Sequence, residues 1–101
     1  MEQPKRGEFV EAKEKTLPMM TAVKLARAEI RAVSDAPVDS VARCERIPGD
    51  GWLVALDLIE SPARLGENDL LARYELRLDP EGVVTGIERM GRARREESDL
   101  P

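Results

Sequence analysis

Hydrophobic residues recur at two different periods along this chain, and the change of period separates the predicted elements. Between residues 17 and 34 the apolar side chains are spaced alternately by four and three, at Met19, Val23, Ala26, Ile30 and Val33. This spacing places them on one face of an α-helix. We predict that the helix begins near Pro18, which suits a first turn, and that Pro37 ends it by disfavouring helical geometry in the preceding residue.

Four strand-like runs follow the helix, at residues 38–47, 52–60, 69–78 and 83–94. The second run is apolar on both sides until Asp57, as expected of an interior strand. The third alternates strictly, and the turn-forming sequences PGDG and DPEG precede the second and fourth runs. The pattern predicts an α+β fold with one N-terminal amphipathic helix packed on a four-stranded antiparallel β-meander. It leaves open whether the helix covers the Trp52 or the Leu53 side of the second strand.

Charge and apolar content divide the chain into three parts. Residues 1–16 are dominated by charged side chains and contain few apolar ones. Burial of so few apolar side chains cannot offset the entropy lost on ordering the segment. We therefore predict a flexible charged arm at 1–16, a single α+β domain at 17–95 and a solvated tail at 96–101.

The whole-chain composition narrows the class of protein. Sixteen basic and 20 acidic residues among 101 give a net charge of −4, which is not the overall basic excess typical of nucleic-acid-binding domains. Cys44 is the single cysteine, so no internal disulfide can form. The longest apolar run, LVAL at 53–56, is far shorter than a membrane span, and the first residues contain no apolar signal-peptide core. We expect a cytoplasmic protein.

The sequence contains little that could support catalysis. Histidine is absent, and no glycine-rich phosphate-binding loop is present. The remaining candidates are carboxylates that could form an acid–base pair, Asp57 with Glu60 or Asp69 with Glu75. Charges on the solvent side of a sheet are the simpler interpretation of these residues. We therefore predict a non-enzyme with no cofactor and no metal site.

Arg73, Glu75 and Arg77 give the third strand one strictly ionic side. We expect their cross-strand neighbours to include Asp57 and either Glu88 or Arg89, depending on register. This side is either a plain solvent face or a docking surface for a partner of complementary charge.

A second charged group lies on the last strand and just beyond it. Arg89, Arg92, Arg94 and Arg95 could contact phosphate, but Glu88, Glu96 and Glu97 flank them and no aromatic residue is interleaved for base stacking. Nucleic acid is therefore the less favoured partner. A charged edge strand that discourages aggregation is the alternative interpretation.

Several motifs together resemble the gas vesicle synthesis protein GvpO family over residues 19–95. They are the Gly51-Trp52 strand start, the strand-ending Glu60, the run from Asp69 through Tyr74 and Glu75, the DPEG turn, and Arg89 with Arg92. The chain departs from the family pattern in the loop ARLGEND and at Ala93, where an aromatic residue often follows the arginine.

The resemblance implies a small cytoplasmic accessory protein, which could also associate with gas vesicles, without cofactor or enzymatic activity. It implies that the protein supports vesicle assembly through contacts with other gas vesicle accessory proteins, with the shell protein as a further candidate partner. The alternative is a nucleic-acid-binding regulator of gas vesicle gene expression that acts through the C-terminal arginines. We predict that the partner-binding residues form one outer sheet face made up of Arg73, Glu75, Arg77, Arg89 and Arg92.

Overall fold

The computed structural model describes residues 17–62 and 69–94, in which one α-helix is followed by four β-strands. Helix α1 spans Met19–Ile30, and the strands are β1 Val38–Ile47, β2 Gly51–Ser61, β3 Leu70–Leu78 and β4 Val84–Arg94. The strands form one antiparallel sheet in the order β1-β2-β3-β4. The predicted α+β meander is therefore confirmed. The arm predicted at 1–16, the loop at 63–68 and the tail at 96–101 lie outside the described residues.

Helix α1 packs against the sheet through a narrower stripe than the sequence pattern predicted. Its buried residues are Ala22, Ala26 and Ile30, at a constant spacing of four. Met19 and Val33, which the pattern assigned to the same face, are about half exposed, so that part of the prediction is wrong. Two alanines on the contact side let the helix backbone lie close to the strands. Within the described segments, no helix has both the length and the apolar character that a membrane crossing requires.

The end of α1 also differs from the prediction, because the helix stops at Ile30 rather than near Pro37. The amides of Ala32 and Val33 donate to carbonyls three residues back, those of Glu29 and Ile30. Such bonds close a tight turn in place of a further helical turn. The chain then enters β1 at Val38.

The core lies between α1 and the Trp52 side of β2, which settles the question that the sequence left open. Its sheet layer consists of alternate residues of the two central strands: Trp52, Val54, Leu56, Leu58, Leu76 and Leu78. Trp52 also anchors the start of the helix, since its indole Nε1–H donates to the carbonyl of Leu17 at 2.7 Å. The guanidinium of Arg46 lies 4.5 Å from the centre of the Trp52 ring.

Two glycines are required by close packing at the end of the sheet where α1 begins. Gly51 opens β2, and a side chain there would collide with the backbone carbonyl of Leu78. Gly82, in the turn between β3 and β4, has a φ of +93° and faces Leu25 of the helix. The carboxylate of Asp79 closes this turn by accepting hydrogen bonds from the amides of Glu81 and Val83, each at 2.9 Å.

Both edge strands carry two β-bulges, which change the faces that their side chains occupy. In β4, Thr85 and Met90 are the extra residues between consecutive β3 partners. In β1 the extra residues are Asp39 and Ala42, so that Val38, Val41 and Cys44 come to face α1 at a spacing of three. A bulge adds one residue without a partner and reverses the alternation beyond it. These bulges decide which charged residues share a surface.

Candidate functional site

The five residues predicted to bind a partner lie on two sides of the sheet. Arg73, Glu75 and Arg77 alternate with the core residues of β3 and therefore point away from α1. Arg89 and Arg92 pair in register with Tyr74 and Ala72, which share the helix side with Leu56 and Leu58. This corrects the expectation of one outer face. The reason is the bulge at Met90, which places Arg89 and Arg92 together on the helix side.

The side of the sheet opposite α1, here called the helix-free face, is organised in rows that cross the strands. Three successive rows contain Glu45, Leu53 and Arg77; Arg43, Ala55, Glu75 and Glu88; and Ser40, Asp57 and Arg73. Positive and negative side chains alternate along β3, and each row contains both signs, although in the middle row the two negative residues Glu75 and Glu88 are direct cross-strand partners. Residues directly opposite each other in neighbouring strands lie close enough for such charges to interact.

In the middle row an ion pair bridges two strands that are not adjacent. Arg43 of β1 and Glu75 of β3 both pair in register with Ala55, which lies between them on β2. The Arg43 Nη2 atom reaches the Glu75 Oε2 atom at 2.9 Å, and Ala55 is fully buried. A short side chain at position 55 allows the two charged groups to meet above it.

The adjacent row contains an ion pair, joined by two hydrogen bonds, between direct cross-strand partners. The Nε and Nη2 atoms of Arg73 donate to the two carboxylate oxygens of Asp57 at 2.8 and 3.0 Å. The Asp57 side chain is 10% exposed and that of Arg73 is 19% exposed. The pKa of Arg73 is raised, chiefly by the hydrogen bond to Asp57, while desolvation opposes the shift and the charge of Glu75 adds to it. The expected Asp57 neighbour is thus confirmed as the partner of Arg73.

The Leu53 row differs because its charged residues do not meet. Glu45 and Arg77 flank Leu53 just as Arg43 and Glu75 flank Ala55, but no ion pair joins them. Leucine is larger than alanine and stands between them. Arg77 and Glu45 are both exposed and, in the part of the chain that the structure describes, neither has an ionic partner. Glu88 of the middle row is likewise exposed and has no ionic partner among the described residues.

A second group of polar residues, here called the helix-side cluster, consists of Glu60, Tyr74, Arg89 and Arg92. Glu60 is the extra residue of a bulge in β2. Its carboxylate accepts from Arg89 Nε at 3.2 Å and Nη2 at 2.7 Å, and Arg92 Nη1 lies 3.8 Å away. The pKa of Arg89 is raised, first by its hydrogen bond to Glu60 and to a smaller extent by a hydrogen bond with Tyr74.

The helix-side cluster joins residues that are far apart in the sequence. Tyr74 of β3 is the cross-strand partner of Arg89 of β4, whereas Glu60 belongs to β2. The pairing of Glu60 with Arg89 was not anticipated, because neither the bulge at Glu60 nor that at Met90 is evident from alternation. The signal in the sequence was indirect, since Glu60, Tyr74, Arg89 and Arg92 all belong to the motifs of the family resemblance.

The arrangement gives no support to an acid–base pair of carboxylates. Asp57 is bonded to Arg73 on the helix-free face, whereas the Glu60 carboxylate is bonded to Arg89 on the helix side. Glu75, the other candidate, is bonded to Arg43. Burial raises the pKa of the half-buried Cys44 thiol, which disfavours the thiolate needed for nucleophilic attack. Among residues 17–62 and 69–94, no three potential metal ligands come together.

Comparison with known proteins gives one consistent result. The family model described as gas vesicle synthesis protein GvpO matches residues 5–99. The chain is 32% identical over 80 residues to a protein named gas vesicle protein O from Haloferax mediterranei, a match that covers 79% of this chain and 57% of that protein. It is 31% identical over 80 residues to a protein of the same name from a Streptomyces species (strain CB03234), a match that covers 79% of this chain and 62% of that protein.

The matched segment thus spans less than two thirds of the length of either relative. No solved structure matches this chain.

Proposed function

This chain belongs to the gas vesicle synthesis protein GvpO family, and from that premise we propose that it is a non-enzymatic accessory protein that assists gas vesicle assembly by binding other gas vesicle proteins. Membership relates the chain to gas vesicles, and the family is named for a gas vesicle protein and not for a reaction. The finer role rests on the surfaces described above. We propose that the chain acts in the cytoplasm, at or near forming vesicles.

The observation that carries the proposal is the charge arrangement of the helix-free face. Asp57 holds Arg73 and Arg43 holds Glu75, so these charges are fixed in position before any partner arrives. Arg77 and Glu45 remain exposed beside them and have no ionic partner among residues 17–62 and 69–94. A surface with fixed charges of both signs selects a partner that carries the complementary pattern, and little side-chain entropy is lost on binding.

The helix-side cluster is the second surface that the proposal assigns to partner binding. Arg92 is 59% exposed and shares Glu60 with Arg89, which holds the carboxylate at a much shorter distance. The weakly held guanidinium of Arg92 can therefore turn to a carboxylate of another protein without leaving Glu60 unpaired. All five residues of the sequence prediction keep a role, but on two separate surfaces.

The proposal is tested by co-purification from cells that express the other proteins of a gas vesicle gene cluster. Arg77→Glu tests the helix-free face and Arg92→Glu tests the helix-side cluster, because both side chains are exposed and neither is the main partner of a buried charge. Lys24→Glu is the matched control, since it makes the same change of charge at an exposed position of α1 that belongs to neither surface. Circular dichroism establishes that all three variants are folded.

We expect at least one of the two test variants to lose a gas vesicle protein that the control retains. Loss in Arg77→Glu alone would identify the helix-free face as the interface, and loss in Arg92→Glu alone would identify the helix-side cluster. If both variants retain every partner at the level of Lys24→Glu, the docking proposal is refuted. Reversing Arg73 would be a poorer test, because it would set two negative charges against each other at Asp57.

The regulatory alternative rests on the arginines of β4. Arg89, Arg92 and Arg94 share the helix side, but Glu60 neutralises part of this charge. A gel-shift titration separates the two functions, since a protein that neutralises several phosphates loses affinity steeply as salt rises. Specific DNA binding with a steep salt dependence that Arg92→Glu reduces would favour the regulator over the assembly protein.

A further inference from the structure

A cavity of about 500 Å³ lies between the C-terminal end of α1 and the start of β1, and its described lining shares no residue with either surface described above. Its lining includes two arginines, an apolar floor and the connecting turn: Arg27, Arg31, Ile30, Ser34, Pro37 and Val38. Cavities of this size are large enough to receive a few side chains of a binding partner.

The walls of this cavity are held by hydrogen bonds. The amides of Val33 and Ser34 donate to the carbonyl of Ile30, each at 3.1 Å. The amide of Ala36 donates to Ser34 Oγ at 3.1 Å, and the amide of Ile59 donates to the Pro37 carbonyl at 2.9 Å. The cavity is therefore built into the connection between helix and sheet, and ligand binding does not require the loss of conformational entropy that ordering these walls would cost.

The lining combines an apolar floor with an excess of positive charge. Ile30 is buried at the base and Val38 is half-buried beside it. Arg27 and Arg31 are one helical turn apart, so their side chains project from the same side of the chain. Both are exposed, and neither forms an ion pair in the part of the chain that the structure describes. Asp35 is the single acidic residue of the lining, which leaves a net charge of +1.

We propose that this cavity binds an acidic segment of a partner protein. An apolar side chain of that segment enters between Ile30 and Val38, and its neighbouring carboxylates pair with Arg27 and Arg31. Basic residues near a helix C-terminus also interact favourably with the helix dipole. That effect accounts for Arg27 in the last turn, but it explains neither the cavity nor the presence of Arg31 just beyond the helix.

The test uses a fluorescent peptide, Glu-Glu-Leu-Glu-Glu, and fluorescence anisotropy with the purified full chain. The companion peptide Glu-Glu-Ser-Glu-Glu lacks the apolar side chain, and inorganic phosphate is added as a competitor to detect a simple anion site. The protein variants are Arg27→Glu and Arg31→Glu. Lys24→Glu is the control, because it carries the same charge change on the same helix outside the cavity.

We expect the leucine peptide to bind more tightly than the serine peptide, and each arginine variant to weaken it by about fivefold or more, the scale of an exposed ion pair. Lys24→Glu should lie within about twofold of the unmodified chain. Failure to bind, an equal loss in Lys24→Glu, equal affinity for the two peptides, or displacement by millimolar phosphate would each overturn the proposal. None of these results bears on co-purification through Arg77 or Arg92, so the two proposals fail separately.

Discussion

Removal of the Arg73 guanidinium should destabilise the fold through the partner it leaves behind. In Arg73→Met the Asp57 carboxylate, which is only 10% exposed, loses both of its hydrogen bonds from Arg73. Leaving one charge of a fully buried pair uncompensated costs about 3–5 kcal/mol, whereas an exposed pair contributes about 0–1 kcal/mol. Because the pair is mostly but not fully buried, we expect a loss of about 3 kcal/mol in the free energy of unfolding.

Urea unfolding followed by the fluorescence of Trp52 measures this loss, since Trp52 is the single tryptophan and is buried in the core. Arg77→Met is the matched control, because it makes the same chemical change on the same strand at an exposed residue that has no ionic partner within the described segments. It should shift the free energy of unfolding by no more than about 0.5 kcal/mol.

The double variant Asp57→Leu with Arg73→Met separates the cost of an unpaired charge from the value of the pair. When both charges are removed, the unpaired Asp57 carboxylate is no longer present, so the double variant should be more stable than Arg73→Met by about 1 kcal/mol or more. The reasoning is refuted if Arg73→Met is as stable as Arg77→Met. It is equally refuted if the double variant is less stable than Arg73→Met.

Three further substitutions test the packing around α1, each by urea unfolding followed by circular dichroism. Trp52→Phe removes the hydrogen bond to the Leu17 carbonyl and should cost about 1–2 kcal/mol; a neutral result would contradict the anchoring role. Gly82→Ala introduces a side chain at positive φ against Leu25 and should cost about 1–2 kcal/mol, unlike an alanine at an unstrained turn position. Ala26→Leu should cost about 2 kcal/mol by pushing the helix off the sheet, and unchanged stability would show that the contact is loose.

The order of elements could be predicted because each element carries its own local signal. The alternation of β3 identifies its core side, and the sequence from Asp79 to Gly82 defines the turn that follows. The buried stripe of α1 could not be predicted from hydrophobicity alone. Ala22 and Ala26 are buried because the helix lies close to the sheet. The distance between helix and sheet depends on residues far away in the sequence.

The candidate surfaces could be predicted only where the strands are regular. Arg73 and Asp57 are direct neighbours on the two central strands, and their pairing was among the expected alternatives. Arg89 and Arg92 differ by three positions and would lie on opposite faces of a regular strand. Met90 adds one residue between them and brings both to the helix side, a reversal that alternation cannot anticipate.

The bulges also disfavour edge-to-edge association of the sheet. Both outer strands of the sheet, β1 and β4, carry two bulges each, which interrupt the regular ladder of backbone groups that a further strand would need. A partner would therefore bind through side chains. On the helix-free face the small Ala55 allows Arg43 to reach Glu75, and the buried Asp57 binds Arg73. The larger Leu53 keeps Glu45 and Arg77 apart. In these two rows, the size of the residue between two charges thus determines whether the charges form an ion pair.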